Sequence, residues 1–263
     1  MSSIQIEGLS VSYPSHSGPV LQELNLEIKS GEFVCIVGRS GCGKTTLLHT
    51  LAGLLQASHG RILIDGRPVE GPDTRRAVVF QNDSLFPWMT ALQNVAFGIR
   101  QAKRGMGRKE ARRQSLSLLE RVGMADDTHK YPSQLSGGMQ QRTALARALG
   151  MDAEVLLLDE AFGALDAGTR MELQQLLVGL WQGESRLQTV VFITHDVDEA
   201  LLLADRVICM GMGGVREEVP VLLPRPRRIE ALQCVESYQE LRRTLLDWLD
   251  REQPASMPTR KGA

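Results

Sequence analysis

The stretch Phe33 to Leu54, FVCIVGRSGCGKTTLLHTLAGL, restricts the fold more than any other part of the chain. A short β-branched run, a glycine-rich turn and an amphipathic helix follow in the order that a phosphate-binding loop requires. Gly38, Gly41 and Gly43 leave backbone N–H groups free to wrap phosphates, Lys44 reaches β- and γ-oxygens, and Thr45 offers a hydroxyl to Mg²⁺. Arg39, Ser40, Cys42 and Thr46 complete the loop. A thiol among loop amides at a helix start favours the thiolate, so Cys42 is expected to react with a maleimide unless nucleotide covers it.

Around this element, short apolar runs alternate with helix-period segments, which predicts an α/β layered sheet. The predicted strands are IQIEGLSVSY, LNLEI, FVCIVG, RILID, AVVFQ, EVLLLDE, TVVFITHD and RVICM. From Leu92 to Leu149 no strand pattern appears, and that block reads as a helical lobe inserted between strands. The expected organisation is an ATPase domain over 1–224, with the lobe at about 90–150, a helical appendage over 225–252 and a disordered tail over 253–263. In the appendage Leu241, Leu245, Trp248 and Leu249 recur at helix spacing, a stripe for packing on the main domain.

Two further motifs carry chemistry. EVLLLDEAFGALD is an apolar run of strand length ending in two carboxylates, which sets Asp159 and Glu160 at a sheet's carboxyl edge, where open α/β folds bind ligands. Asp159 suits Mg²⁺, and Glu160, pointing the other way along an extended chain, suits deprotonation of an attacking water. TVVFITHD ends another buried strand and puts His195 at the same edge, within reach of a γ-phosphate. SQLSGGMQQRTALARA is a second helix start built for an anion: Ser136 caps it, and Gly137 and Gly138 let a ligand approach the amides. One chain with two phosphate sites needs an explanation.

Charge and apolar content exclude several classes. Thirty basic residues against 31 acidic ones leave a net charge of -1, no footprint for nucleic acid. The apolar runs are far shorter than the ~20 residues of a bilayer span, and the first residues show no secretory signal, so a cytosolic location is expected. The four cysteines form no C-x-x-C pair, and Cys35 and Cys209 read as small buried hydrophobes.

Together these motifs resemble the ATP-binding cassette ATPases from about Ile4 to Val221. The resemblance implies a P-loop NTPase with a RecA-like core, an antiparallel β subdomain and an inserted helical lobe, using ATP and Mg²⁺. It makes Tyr13 the adenine-stacking aromatic, and Thr45, Gln81 and Asp159 the Mg²⁺ ligands. Lys44, Gln81, Glu160 and His195 become the catalytic set, and LSGGMQ, with Ser136, Gly137, Gly138 and Gln140, the signature. In such cassettes two copies stack head to tail, so the second anion site serves the partner's ATP. The family usually has proline where this chain has Ala161, which leaves the turn freer and predicts slower turnover. The segment Leu85, Phe86, Pro87 and Trp88 is similar to the face on which importers of nitrate, sulfonate or taurine type dock a membrane permease. The resemblance then implies an extracytoplasmic solute-binding protein acting through the permease, and a peripheral place on the cytoplasmic face of the inner membrane. Soluble cassettes of DNA repair or ribosome function would need a second cassette or a long insertion, which the chain lacks. A small-molecule P-loop kinase would lack the LSGG element and need an acceptor-binding lid, and a non-hydrolytic switch requires Glu160 to be inert.

Overall fold

In the computed structural model, which describes residues 2–14, 18–81, 85–183 and 188–252, the chain builds two sheets. The smaller is antiparallel, with β2 (Pro19–Ile28), β1 (Ile4–Ser12), β4 (His59–Ile64) and β5 (Arg67–Pro68) side by side. The larger runs β10 (Gly214–Pro220), β9 (Arg206–Gly211), β3 (Phe33–Gly38), β8 (Thr189–Ile193), β7 (Val155–Asp159) and β6 (Arg76–Val79). Its strands are parallel except for β10.

Strand periodicity divides the core. Phe33, Cys35 and Val37 of β3 face one apolar cluster, whereas Val34 and Ile36 face the other; Leu156 and Leu158 of β7 separate from Val155 and Leu157 in the same way. The second cluster lies between the two sheets and takes in Leu47, Leu48 and Leu51 of α1 (Lys44–Ala52). Both faces of the parallel sheet are therefore covered, which is why β3, β7 and β8 read as unbroken apolar runs. Each such buried side chain contributes about 1.5–3 kcal/mol.

Between β6 and β7 come α2 (Ala91–Ala102), α3 (Arg108–Arg121), a 3-10 turn (Pro132–Gln134) and α4 (Gly137–Gly150). α2 begins with a reciprocal cap, since Thr90 N–H donates to Gln93 Oε1 and Gln93 N–H to Thr90 Oγ1. α5 (Ala167–Gly183) follows β7, and α6 (Val197–Leu203) follows β8. α7 (Ile229–Leu232) and α8 (Glu236–Arg251) end the described chain, with Leu245 fully buried and Leu241, Trp248 and Leu249 packed on the core. The tail expected over 253–263 lies outside the described residues.

Two strands carry no pattern that the sequence reading recognised. β5 is two residues long, and β10 contains Arg216, Glu217 and Glu218 in succession. Both lie at sheet edges, where one side of a strand faces solvent and charge is tolerated.

Arg227 ties the appendage to α6 and to the segment that follows β10. It is buried, and its guanidinium donates to the carbonyls of Leu201, Ala204, Val221 and Leu223. Arg227→Leu would keep volume but orphan those four acceptors. We expect a loss on the order of 3 kcal/mol, read as a lower urea midpoint.

Candidate nucleotide site

β3 ends at Gly38 and α1 starts at Lys44, so the loop between them opens at the carboxyl edge of the sheet. Gly43 has φ +106, and a Cβ there would lie 2.7 Å from Leu21 Cδ2; only glycine satisfies both the backbone and its neighbour. Lys44 is buried, and its Nζ donates to the carbonyls of Gly38 at 2.7 Å and Arg39 at 2.9 Å, which closes the loop on itself. The loop forms one wall of a cavity of about 700 Å³ through Ser40, Gly41, Gly43, Lys44, Thr45 and Thr46. Tyr13 stands in the same cavity with its hydroxyl 3.3 Å from Thr46 Oγ1, and Glu160 also lines it.

Three loop residues fall outside that wall. A Cβ on Gly38 would sit 2.3 Å from the Met210 carbonyl, so the glycine there serves the approach of β9. Arg39 turns away and donates from Nη1 to the Glu252 carbonyl at 2.9 Å. Cys42 corrects the reactive-thiol expectation: it is buried, and desolvation raises its thiol above the ordinary range, outweighing the Lys44 charge and the loop amides that pull the other way.

The carboxylates come from the end of β7. Asp159 is 9% exposed, and Thr45 Oγ1 donates to its Oδ1 at 3.4 Å. Burial raises the Asp159 carboxyl above the usual range, although His49 and Lys44 pull it down. A desolvated carboxylate beside a hydroxyl is a donor pair for a hard cation, whose other positions phosphate oxygens and water would fill, so these residues fit Mg²⁺. Glu160 is not extended, contrary to the reading of an alternating strand end. The strand stops at Asp159, and Glu160 adopts φ +44, with its N–H on the Ile193 carbonyl and its carbonyl taking the Gly163 N–H. This left-handed turn directs the carboxylate toward the cavity and sets Oε2 3.6 Å from His195 Nδ1. Ala161 is 2% exposed and packed in the core, so the turn is held without proline. Gln81 is anchored by Gln141, whose Nε2 donates to its carbonyl at 2.9 Å. Gln81 Nε2 and His195 Cε1 both lie 3.5 Å from the place a Cβ on Gly163 would take, so the two side chains converge beside that glycine.

The signature stands apart. Ser136 caps α4 by accepting the Met139 N–H at 3.3 Å, and Gly137 is exposed. Gly138 is covered within its own chain: a Cβ would meet Thr169 Cγ2 at 2.4 Å, so its lack of a side chain serves α5 rather than a ligand. Gln140 donates to the carbonyls of Pro132 and Leu135 and so shapes its own loop. None of these four residues lines the cavity.

Besides Gly18, Pro19 and Val20, sequence reasoning missed three more residues that line the cavity, Gln22, Met212 and Gly213. They arrive there because Gln22 N–H donates to the Gly213 carbonyl at 2.8 Å, joining the two sheets, and no local pattern signals that contact. Near the lobe, Trp88 is 68% exposed and Phe97 37%, with Phe86 between them at ring separations of 5.6 and 4.9 Å. Leu85, expected in the same patch, is instead turned into the core. The patch is held from below by buried Asn94, which accepts the Phe86 N–H and donates to the carbonyls of Phe86, Met89 and Thr90.

Residues 21–163 match the sequence profile described as ABC transporter. The chain belongs to the ABC transporter family. Among relatives of this ABC ATPase, the nitrate import ATP-binding protein NrtD of Synechococcus elongatus is 45% identical over 245 residues, covering 91% of this chain and 89% of that protein. The nitrate transport protein NasD of Klebsiella oxytoca is 46% identical over 257 residues, covering 95% and 97%. The bicarbonate transport ATP-binding protein CmpD of Synechococcus elongatus is 43% identical over 249 residues, covering 93% and 89%. Among solved structures, the dimeric post-hydrolysis state of the ATP-binding cassette MJ0796, bound to ADP and Pi, superposes with a TM-score of 0.74 at 32% identity. It covers 84% of this chain and all of that one. The ABC ATPase thus has the P-loop NTPase fold with a RecA-like core and a helical subdomain, binds ATP with Mg²⁺ and hydrolyses it. Among the described residues no helix is long and apolar enough to cross a membrane.

Because the fold raises the Asp159 carboxyl, its charged form opposes folding above the ordinary carboxylate range. Asp159→Asn should therefore raise the melting temperature of the nucleotide-free ABC ATPase at neutral pH, on the order of 2 °C, while abolishing Mg²⁺-dependent turnover. Calorimetry and phosphate release together check the two halves.

Proposed function

We propose that this ABC ATPase energises an importer of small anions of the nitrate or bicarbonate kind, working as a head-to-tail dimer on a membrane permease fed by an extracytoplasmic solute-binding protein. Relatives named for nitrate and bicarbonate transport support the solute class, and the dimeric cassette of MJ0796 supports the assembly. One observation carries the assembly most directly: the loop, Tyr13 and Glu160 share a cavity, whereas the signature helix start, also built for an anion, lies outside it.

Within one chain, Tyr13 stacks on the adenine, and Lys44 with the loop amides holds the phosphates. Thr45, Gln81 and Asp159 would hold Mg²⁺, which when bound would neutralise phosphate charge. Glu160 takes the proton of a water as that water attacks the γ-phosphorus, and ADP leaves with the bridging oxygen. His195, beside Glu160, orients on the transferred phosphoryl group. From the second copy, Ser136 and the amides of Gly137 and Gly138 meet the γ-phosphate, which needs no further cation because the loop already supplies Lys44. The Glu160 and His195 juxtaposition favours hydrolysis over a non-hydrolytic switch.

Mixed dimers decide the assembly. Lys44→Ala spoils the loop and Ser136→Arg blocks the signature, so each homodimer should be inactive. A heterodimer isolated on two tags retains one sound loop facing one sound signature and should occlude ATP. Heterodimers no better than either parent would refute head-to-tail pairing.

The cluster of exposed Trp88 and Phe97 with half-buried Phe86 is the proposed permease contact. Trp88→Ala should leave ATP binding unchanged and weaken capture of the permease in detergent by roughly 2 kcal/mol, about thirtyfold in Kd. Solute specificity should not change, since a contact on the energising subunit does not touch the solute.

A further inference from the structure

The appendage has so far only a packing role, yet α8 and the residue that ends it reach two elements flanking the hydrolytic site, α6 and the phosphate loop. At its first turns, buried Tyr238 donates its hydroxyl to Asp198 Oδ1 at 2.5 Å. Arg242, one turn on, grips the same carboxylate with Nε at 2.6 Å from Oδ1 and Nη2 at 3.3 Å from Oδ2. Asp198 belongs to the first turn of α6, the helix that starts directly after His195. At the other end of α8, the Glu252 carbonyl accepts from Arg39 of the phosphate loop. Sixteen residues of helix span about 24 Å, enough to bridge the two elements.

The backbone around His195 is tied through Thr194, Asp196 and Glu199, and Arg170 pairs with Asp196 at 3.6 Å, but the His195 side chain itself is loosely held. The imidazole is largely exposed, and its one ion-pair partner among the described residues, Glu160, stands at 3.6 Å. Its placement comes through the backbone on either side. The Asp196 N–H donates to Thr194 Oγ1 at 3.0 Å, and Asp196 Oδ1 accepts the N–H groups of Asp198 and Glu199. Glu199 in turn is fixed by Thr194 Oγ1 and by Gln174 Nε2. His195 is thus built onto the first turn of α6, and α8 holds that turn through the side chain of Asp198.

We propose that α8 is a strap that positions His195 relative to the phosphate loop, with Tyr238 and Arg242 as positioning residues acting through Asp198. The inference rests on His195 acting at the γ-phosphate. Neither strap residue touches nucleotide. Losing their grip leaves the loop intact for binding but lets the α6 start, and His195 with it, drift from the geometry that turnover requires. A strap therefore affects kcat more than ATP affinity, whereas a merely stabilising clamp would affect melting temperature and leave kcat alone.

The full-length protein is tested as Tyr238→Phe, Arg242→Ala, the double variant and, in parallel, His195→Ala. Phenylalanine keeps the ring in its buried place and removes only the hydroxyl bond, so that variant decides the matter even where the double variant fails to fold. We expect the double variant to lose five- to tenfold in kcat and Tyr238→Phe two- to threefold, with KM and the dissociation constant for ATP within twofold of the parent. Amide exchange should quicken at 195–199 but not at 39–46. Arg242→Lys, which restores one charged donor, should recover part of the lost turnover. An unchanged kcat in a folded Tyr238→Phe protein, or a loss matched by weaker ATP binding, overturns the strap. If His195→Ala turns over normally, the assignment of His195 itself fails; if it is inactive while the strap variants are normal, only the strap fails.

Discussion

Everything at the site hangs on the buried ammonium of Lys44, held by two carbonyls of its own loop. Those bonds draw the end of β3 and the start of α1 together, so the loop amides that would otherwise spread into solvent converge on one volume. The arrangement tolerates little variation around it. Leu21 fills the space a side chain on Gly43 would need, and the Met210 carbonyl fills that of Gly38. The glycines of the motif thus answer two demands at once: a loop conformation for phosphate, and close contact with strands of both sheets.

The parallel sheet then sets the chemistry by where its strands stop. β3, β7 and β8 are adjacent and end at the same edge, so Lys44, Asp159, Glu160 and His195 meet although more than 100 residues separate the first from the others. One residue of strand length decides which acid does what. Asp159 is the last strand residue, is desolvated and faces the Thr45 hydroxyl, whereas Glu160 begins a left-handed turn and remains partly in solvent. A buried carboxylate suits a cation, and a partly solvated one beside an imidazole suits proton transfer.

Two peripheral elements frame this edge. The helical lobe carries the signature, whose Gly138 packs against Thr169 of α5, and carries the aromatic cluster on the buried amide of Asn94. The appendage returns across α6 to the phosphate loop, fastened by Arg227 on carbonyls and by Asp198 on two side chains of α8. Both elements also share one apolar cluster with the site strands, through Val95 and Leu119 of the lobe and Tyr238 and Leu245 of the appendage.

The phosphate loop, the acidic pair, the histidine and the signature were legible in the sequence because each is local. Residue type and spacing within a dozen positions determine whether a turn can hold phosphate or cap a helix, and the unbroken apolar runs before them announce strands buried on both faces. What the sequence could not show depends on contacts between distant segments. Gln22 and Met212 enter the cavity wall only because β2 meets the turn before β10; β10 itself is a strand by virtue of its pairing, not of its charged residues. Cys42 looked reactive from its neighbours in the chain, yet the fold buried it, and desolvation outweighs nearby positive charge. Glu160 looked extended from its alternation, yet it enters a left-handed turn in which its carbonyl accepts the Gly163 N–H. Local geometry is encoded by adjacent residues, but solvation and long-range hydrogen bonding are properties of the packed molecule, and these decided which of the locally competent groups face the cavity.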